Sequence, residues 1–482
     1  MIKNIKWLLM ASLVIVSCNS DDEATVDPNS TDGTPLTAGS ADFSKYVALG
    51  DSFAAGFSDN ALFAEGQKNA YPNIIATQFA LVGGGEFTTP FMADNIGGFS
   101  SGGVQIPQFG PRLWFNAATS TPLPVSGVSA TDISTKLTGT FNNFGIPGAK
   151  ATQLDLAGYG SSLGNPYFAR MASNPMATVV DDALAGSPTF FSLWIGGNDV
   201  LGYATSGGVS TSPITPTATF NTAYNALIAK LTTGGRKGVI ANLPYVNTLP
   251  YFTTVPYNPV PLDAPTAGLL NSGYATYNNG LLFAQSNGLL TADEVARRTI
   301  SFSASATNKV VIVDEYLTDL SAFGIPSYRQ ATNEDLVVLP ARAFIGTTVG
   351  GNPLQINGVS VPLADNWVLT KNEIAEIKAA TDEYNNTIQA AASANDLAFV
   401  DAKTIMERLN SPTGIVVNSY TMTATYVTGG TFSLDGVHPS PRGYALIANE
   451  FLKAINAAYG SNFKGVNVGT YRILYPQNPD NF

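Results

Sequence analysis

The chain has 482 residues, 45% of them hydrophobic, so it can bury a large core in one or two domains. Its formal net charge is −11, only 12% of its residues are charged, and it carries no basic stripe, which excludes a typical nucleic-acid-binding protein. The single cysteine, Cys18, excludes an intrachain disulfide and a metal site built from several thiolates.

The first seventeen residues are typical of a signal sequence. Lys3 and Lys6 precede an apolar run over residues 7–16, which is shorter than the ~20 residues that a spanning helix needs. Residues 15–18, Ile-Val-Ser-Cys, resemble a bacterial lipobox, in which the cysteine is lipidated and becomes the first residue. We therefore expect removal of residues 1–17 and membrane attachment through Cys18; the alternative is an ordinary signal peptide with a chance cysteine.

An acidic, polar segment follows Cys18. Residues 21–23, Asp-Asp-Glu, resemble the surface-export signal of lipoproteins in the Bacteroidetes group, which implies an outer-membrane lipoprotein at the cell surface. Residues 18–41 have few apolar anchors and are expected to form a disordered acidic tether. Without Lys3 and Lys6 the chain keeps 22 basic against 35 acidic residues, a charge of −13.

The rest of the chain alternates short apolar strands with amphipathic helices. This alternation predicts an α/β fold with a parallel sheet covered by helices. The predicted strands are Tyr46–Leu49, Phe190–Ile195, Val239–Leu243 and Leu397–Val400. The predicted helices are Tyr71–Val82, Thr219–Leu231, one with a capping box at Thr370 and Glu373 that runs to about Asn395, and one from Pro441 to Gly460.

Residues 42–460 are expected to form one domain, followed by a C-terminal extension over residues 461–482. Residues 86–140 and 244–369 fit no simple strand–helix unit, although Val310–Val313 is predicted to be a strand. Long irregular segments in a compact domain are usually functional or disordered. We interpret residues 244–369 as an insertion packed over one end of the sheet.

The only histidine, His438, lies in the sequence Asp435-Gly436-Val437-His438-Pro439. Serine nucleophiles need a base that titrates near neutrality, which histidine supplies. A carboxylate that holds the imidazole in one tautomer improves that base, and Asp435 is three residues away. A lone histidine is more often structural. The catalytic interpretation of this pair is therefore favoured only if the chain also contains a nucleophile.

A candidate nucleophile is Ser52, in the sequence Gly50-Asp51-Ser52 directly after the first predicted strand. A strand-to-helix turn exposes its hydroxyl at the carboxyl end of the sheet and directs its backbone N–H outward. The alternative is an ordinary N-cap serine. Two further turns carry small residues and possible oxyanion donors: Gly148, and Asn198 in Gly196-Gly197-Asn198-Asp199.

The order of these motifs resembles the SGNH (GDSL-type) hydrolase superfamily, over residues 46 to about 458. Ser52, Gly148, Asn198 and His438 match the four residues that name that family. The resemblance implies a three-layer α/β/α, flavodoxin-like fold with large loop insertions, and ester hydrolysis through an acyl-enzyme. In that mechanism Ser52 is the nucleophile, His438 the base and Asp435 its orienting acid. The Ser52 and Gly148 N–H groups and the Asn198 amide form the oxyanion hole.

The resemblance leaves several alternatives open. Some relatives use a Ser–His dyad, so triad and dyad both remain, and acetylated glycans, acyl lipids and short esters are all possible substrates. No cofactor or metal is expected, and the chain is expected to be a monomer. Residues 98–102 match a G-x-S-x-G elbow around Ser100, but no strand precedes them and no helix follows. A non-catalytic glycan-binding or adhesive surface lipoprotein is the competing class.

Overall fold

The computed structural model describes residues 26–209 and 211–481. The predicted signal sequence, Cys18 and the acidic residues 21–23 lie outside the described residues. Within the described part, no helix is both long enough and apolar enough to cross a membrane.

A five-stranded parallel sheet forms the centre of the molecule. Its strands are β1 (Tyr46–Gly50), β2 (Asn143–Gly145), β3 (Phe190–Trp194), β4 (Lys237–Ala241) and β5 (Ala398–Val400). They lie in the order β5-β4-β3-β1-β2, with every pair parallel. All residues of β1 and β3 are buried, because helices cover both faces of a parallel sheet. The four predicted strands are confirmed, with ends that shift by at most two residues.

The main helices are α1 (Ser52–Ala55), α2 (Tyr71–Ala80), α3 (Asn198–Thr205), α4 (Thr217–Leu231), α5 (Ala264–Ser286), α6 (Lys371–Ala394), α7 (Ala402–Leu409) and α8 (Pro441–Tyr459). Shorter helices span Ala64–Lys68, Pro166–Ala169, Val179–Ala185, Pro250–Thr253 and Ala292–Arg298. The predicted capping box of Thr370 and Glu373 begins α6, and Gly460 ends α8 in a left-handed conformation.

Two helical layers enclose the sheet, as predicted. On one side α2 packs against α8, with the Tyr71 and Phe451 ring centroids 4.7 Å apart. On the other side α4 packs against α6, and the Phe220 and Tyr384 rings stack at 3.9 Å. Because all five strands run the same way, their carboxyl ends share one edge, where this kind of fold binds ligands.

Residues 244–369 form no further strand of the central sheet. The predicted strand Val310–Val313 is present as Val311–Val313, but it pairs antiparallel with Tyr328–Gln330 outside that sheet. The segment also contains α5 and reaches the loop before α8, where the Tyr251 N–H donates to the Gly436 carbonyl at 2.9 Å. It therefore borders the loop that carries Asp435 and His438.

The N-terminal segment differs from the predicted free tether over residues 26–41. Asn462 holds this segment: its carboxamide accepts the Thr37 N–H at 2.8 Å and donates to Asp32 Oδ1 at 3.1 Å. The Ser40 N–H also donates to the Tyr459 carbonyl. The sequence predicted disorder here because the segment has few apolar anchors. Polar contacts with residues near the end of the chain hold it instead.

Candidate active site

Ser52 begins α1, immediately after β1. The Asp51 side chain caps this helix by accepting the Phe53 N–H at 3.0 Å, so Asp51, and not Ser52, is the N-cap. The turn places the Ser52 hydroxyl at the carboxyl edge of the sheet, where Ser52 Oγ lies 2.8 Å from His438 Nε2. The predicted strand–turn–helix context of Ser52 is therefore present.

His438 and Asp435 lie on the loop before α8. The distance between His438 Nδ1 and Asp435 Oδ2 is 2.9 Å. Two rings flank the imidazole: the Phe57 and Phe53 centroids lie 4.6 Å and 5.4 Å from its own. The imidazole thus has one nitrogen on a carboxylate and the other on a hydroxyl. This continuous chain of hydrogen bonds runs from Asp435 to Ser52.

The Asp435 carboxylate is buried but well supplied with donors. Its Oδ1 accepts the N–H groups of Val437 and His438, each at 2.8 Å, and its Oδ2 also accepts the Asn60 N–H at 2.9 Å. Burial by itself raises the pKa of Asp435. The neighbouring His438 and these hydrogen bonds outweigh burial and hold the pKa below its ordinary value. The surroundings of Asp435 therefore favour its ionised form.

Sequence reasoning missed the residues that hold this loop from behind. Asp59 and Asn60 adopt left-handed conformations in a tight turn between Ser58 and Ala61. Asp59 Oδ1 accepts the Leu434 N–H at 2.8 Å, while Asn60 donates to Asp435. Asp-Asn is a recognisable turn pair, but nothing local indicates a partner about 375 residues away.

The predicted oxyanion donors border the same edge of the sheet. Asn198 Nδ2 donates to the Ala149 carbonyl at 2.9 Å, which leaves its second hydrogen free for a substrate oxygen. Gly148 has φ +81°, and an added Cβ would meet no atom within 4 Å. Among the described residues, the backbone N–H groups of Ser52 and Gly148 have no protein acceptor.

Asp51 and Asp199 support the turns around the site. Asp199 Oδ2 accepts the Ala151 N–H at 2.9 Å and so ties α3 to the loop after β2. Burial raises the pKa of Asp51 to about 6 and also raises that of Asp199. Neither carboxylate contacts the Ser52 hydroxyl in place of His438.

Ser100 does not form a nucleophile elbow. It is buried in a two-residue strand, Ser100–Ser101, which pairs with Val104–Gln105. Its Oγ donates to the Thr131 carbonyl at 3.4 Å. The strand Val104–Gln105 follows it in place of an α-helix, which agrees with the sequence-based rejection of this motif.

A cleft opens beside Ser52 and has few polar groups away from the reacting atoms. It encloses about 480 Å³, including space open to solvent, and Ser52 and Asn198 lie in its wall. Its apolar walls are Phe53, Trp194, Leu201, Leu243, Pro244, Val246, Leu249 and Val437. Phe53, Trp194, Pro244 and Leu249 also line a second cavity, whose other walls are apolar apart from Thr431 and Glu450.

A serine, an imidazole and a carboxylate in this order form the arrangement of serine hydrolases that cleave esters through an acyl-enzyme. The sequence profile of the GDSL-like Lipase/Acylhydrolase family matches residues 46–282 and 268–451. The chain therefore belongs to this family of carboxylic ester hydrolases.

Two further comparisons accompany that match. No curated protein sequence matches the chain. Among solved structures, an extracellular lipase from Streptomyces rimosus is similar at 12% identity and a TM-score of 0.29, covering 86% of this chain and 98% of that one.

Proposed function

We propose that the protein hydrolyses carboxylic esters of apolar acyl groups through a Ser52–His438–Asp435 triad. The observation that carries this proposal is the hydrogen-bonded chain from Asp435 to Ser52 at the mouth of an apolar cleft. His438 Nε2 takes the Ser52 proton as Oγ attacks the ester carbonyl carbon. Asp435 stabilises the imidazolium that forms.

The tetrahedral oxyanion is held by the free N–H groups of Ser52 and Gly148 and by the second hydrogen of Asn198 Nδ2. His438 then gives its proton to the departing alkoxide, which leaves Ser52 acylated. A water that loses a proton to His438 attacks the acyl carbonyl, and collapse returns the proton to Ser52 and releases the acid.

The lining of the cleft favours an acyl lipid or a longer simple ester over an acetylated glycan. The polar side chains at the cleft wall are Asp51, Ser52 and Asn198, and each already serves the helix cap or the proposed chemistry. A sugar would bring several hydroxyls that find no partners there. An acyl chain instead gains about 0.8 kcal/mol for each buried methylene.

The substrate proposal is tested with p-nitrophenyl esters whose acyl groups have two to twelve carbons. We expect kcat/KM to rise by roughly threefold per methylene until the chain fills the cleft and the second cavity. Ile405→Trp, which narrows the second cavity, should cut activity on longer esters and spare the acetate. Glu407→Trp, on the exposed side of the same helix, is the matched control.

A preference for the acetate, unchanged by Ile405→Trp, would favour a deacetylase and contradict the acyl-chain proposal. Activity on every ester should disappear in Ser52→Ala. If Ser52→Ala kept full activity, the triad itself would be wrong, whatever the chain-length preference.

We also propose that lipidated Cys18 anchors the protein at the outer face of the outer membrane. Support comes from Lys3, Lys6, the apolar run and the lipobox-like residues 15–18. Cys18→Ala should release the protein from the membrane fraction. Replacing residues 21–23 with alanine should keep the lipid but reduce cleavage by protease added to intact cells; unchanged cleavage would contradict the export role of these acids.

A further inference from the structure

Away from Ser52, three carboxylates converge where the insertion meets the helical layer. Glu315 follows the strand Val311–Val313, Asp365 begins a short turn before α6, and Glu373 lies in the first turn of α6. One carboxylate oxygen from each of these residues lies within 4.8 Å of the other two. Three acids from three segments thus surround one point.

The cluster contains buried oxygens without a donor. Glu373 is fully buried; its Oε2 accepts the Thr370 N–H at 2.5 Å and the Thr370 hydroxyl at 2.8 Å, but its Oε1 has no hydrogen-bond partner within residues 26–209 and 211–481. Asp365 Oδ1 is likewise buried without a partner. Buried polar atoms are nearly always paired, so these oxygens indicate a missing positive partner.

The described part of the chain supplies no cationic side chain to these acids. Among the described residues, no lysine or arginine forms an ion pair with Glu315, Asp365 or Glu373. Burial, and then the adjacent Glu315 carboxyl, raises the pKa of Asp365 to about 8, and burial raises that of Glu373 to about 7. Like charges at this spacing need either a bound proton or a bound cation.

We propose that this cluster binds a divalent calcium ion. Its donors are carboxylate oxygens, with no imidazole or thiolate, and such donor sets prefer hard cations. Ca²⁺ accepts six to eight oxygen ligands in a flexible geometry, whereas Mg²⁺ requires a near-ideal octahedron and is usually held by only one or two carboxylates. Three carboxylates from separate segments therefore suit Ca²⁺ better, with water completing its coordination.

The position of the cluster gives the ion a structural role. Gly208, which follows α3, lies so close to the cluster that an added Cβ would come within 2.1 Å of Glu373 Oε1. One turn further along α6, Glu376 accepts hydrogen bonds from the Tyr203 hydroxyl of α3 at 2.6 Å and from the Tyr316 hydroxyl at 2.8 Å. Calcium would thus fasten the insertion to α6 beside the end of α3, the helix that begins with Asn198.

The test is thermal unfolding of the purified full chain after removal of metals, in EDTA, CaCl₂ or MgCl₂. We expect Ca²⁺ at about 100 times its Kd to raise Tm by roughly 3 °C and Mg²⁺ to raise it less. Tb³⁺ should also bind, with emission sensitised through the nearby Tyr203 and Tyr316, and Ca²⁺ should displace it. Neither readout depends on ester hydrolysis.

Asp365→Asn and Glu315→Gln should remove most of the calcium-dependent shift. Glu315 is exposed, so its replacement leaves the packing intact. The matched control is Glu334→Gln, which changes an exposed acid paired with Lys371 and should keep the full shift. Equal Tm in EDTA and CaCl₂ for the unaltered protein would overturn the proposal. An unaltered protein that does not respond to metal, together with a higher Tm for Asp365→Asn, would also overturn it, because the acids would then share a proton.

Discussion

The edge of the sheet around Ser52 and the insertion over residues 244–369 are organised differently. At the sheet edge, the turns after β1 and β3 present Ser52 and Asn198, and the loop before α8 brings His438 to within 2.8 Å of Ser52. In the insertion, single polar side chains hold distant backbone segments; the Asn271 and Asn278 carboxamides, for example, bond the backbone at Phe302 and Ile300.

Because of this difference, we expect replacements at the sheet edge to change activity and replacements in the insertion to change the free energy of unfolding. The sheet edge depends on a few atoms whose positions the strands already determine, so a replacement there should remove activity and leave folding almost unchanged. The insertion depends on buried polar contacts, so a replacement there should lower the free energy of unfolding. Activity of the molecules that remain folded should persist.

The largest expected effect is on catalysis, in His438→Ala. Loss of the base should lower kcat/KM by about 10⁴-fold or more, with little change in Tm. Asp435→Asn should cost about 10²–10⁴-fold, because an asparagine no longer stabilises the imidazolium and favours the wrong tautomer. The measurement is kcat/KM from pH 5 to 9 for the three proteins. An Asp435→Asn profile that overlays the unaltered one would identify a Ser–His dyad.

The next effect is on stability, in Arg329→Met within the insertion. Arg329 is buried and donates to Asp314 at 2.6 Å and to both oxygens of Asp335 at 2.6 and 2.8 Å. Its removal leaves two buried carboxylates uncompensated, which should cost about 3–5 kcal/mol in urea unfolding. Lys371→Met, which breaks the exposed pair with Glu334, should cost under about 1 kcal/mol. If both variants lost the same free energy of unfolding, the proposed dependence of the insertion on buried polar contacts would be wrong.

The last effect concerns the pH dependence of stability at Asp59, behind the triad loop. Burial raises the pKa of Asp59 to about 7 in the folded protein, above its ordinary 3.8. The folded state therefore holds a proton that the unfolded state has lost, and the stability this proton confers disappears as pH rises from about 4 to 7. Asp59→Asn removes that dependence and keeps an oxygen for the Leu434 N–H.

The Tm of Asp59→Asn relative to the unaltered protein should therefore increase with pH over that window, by the equivalent of up to about 4 kcal/mol. Thermal unfolding at pH 4, 5.5, 7 and 8 measures it. A Tm difference that does not change with pH would show that Asp59 is ionised in the folded protein throughout.

Sequence was sufficient for four of the five strands of the central sheet, because apolar runs are local signals, but it did not predict the strand Asn143–Gly145. It was also sufficient for the contact between Ser52 and His438, because both lie in motifs that resemble one family. It was not sufficient for Asn60, whose N–H reaches Asp435 across the fold, or for residues 26–41, which Asn462 holds. Such contacts join single polar groups far apart in the chain and leave no periodic trace.

Covalent labelling by a p-nitrophenyl alkylphosphonate, mapped by mass spectrometry, tests the central claim most directly. This reagent places a phosphonyl group on a serine that is activated by an adjacent base. We predict one adduct per chain, on Ser52, with none in Ser52→Ala and much slower labelling in His438→Ala. An adduct on Ser100, or labelling of Ser52 at the same rate without His438, would contradict the account.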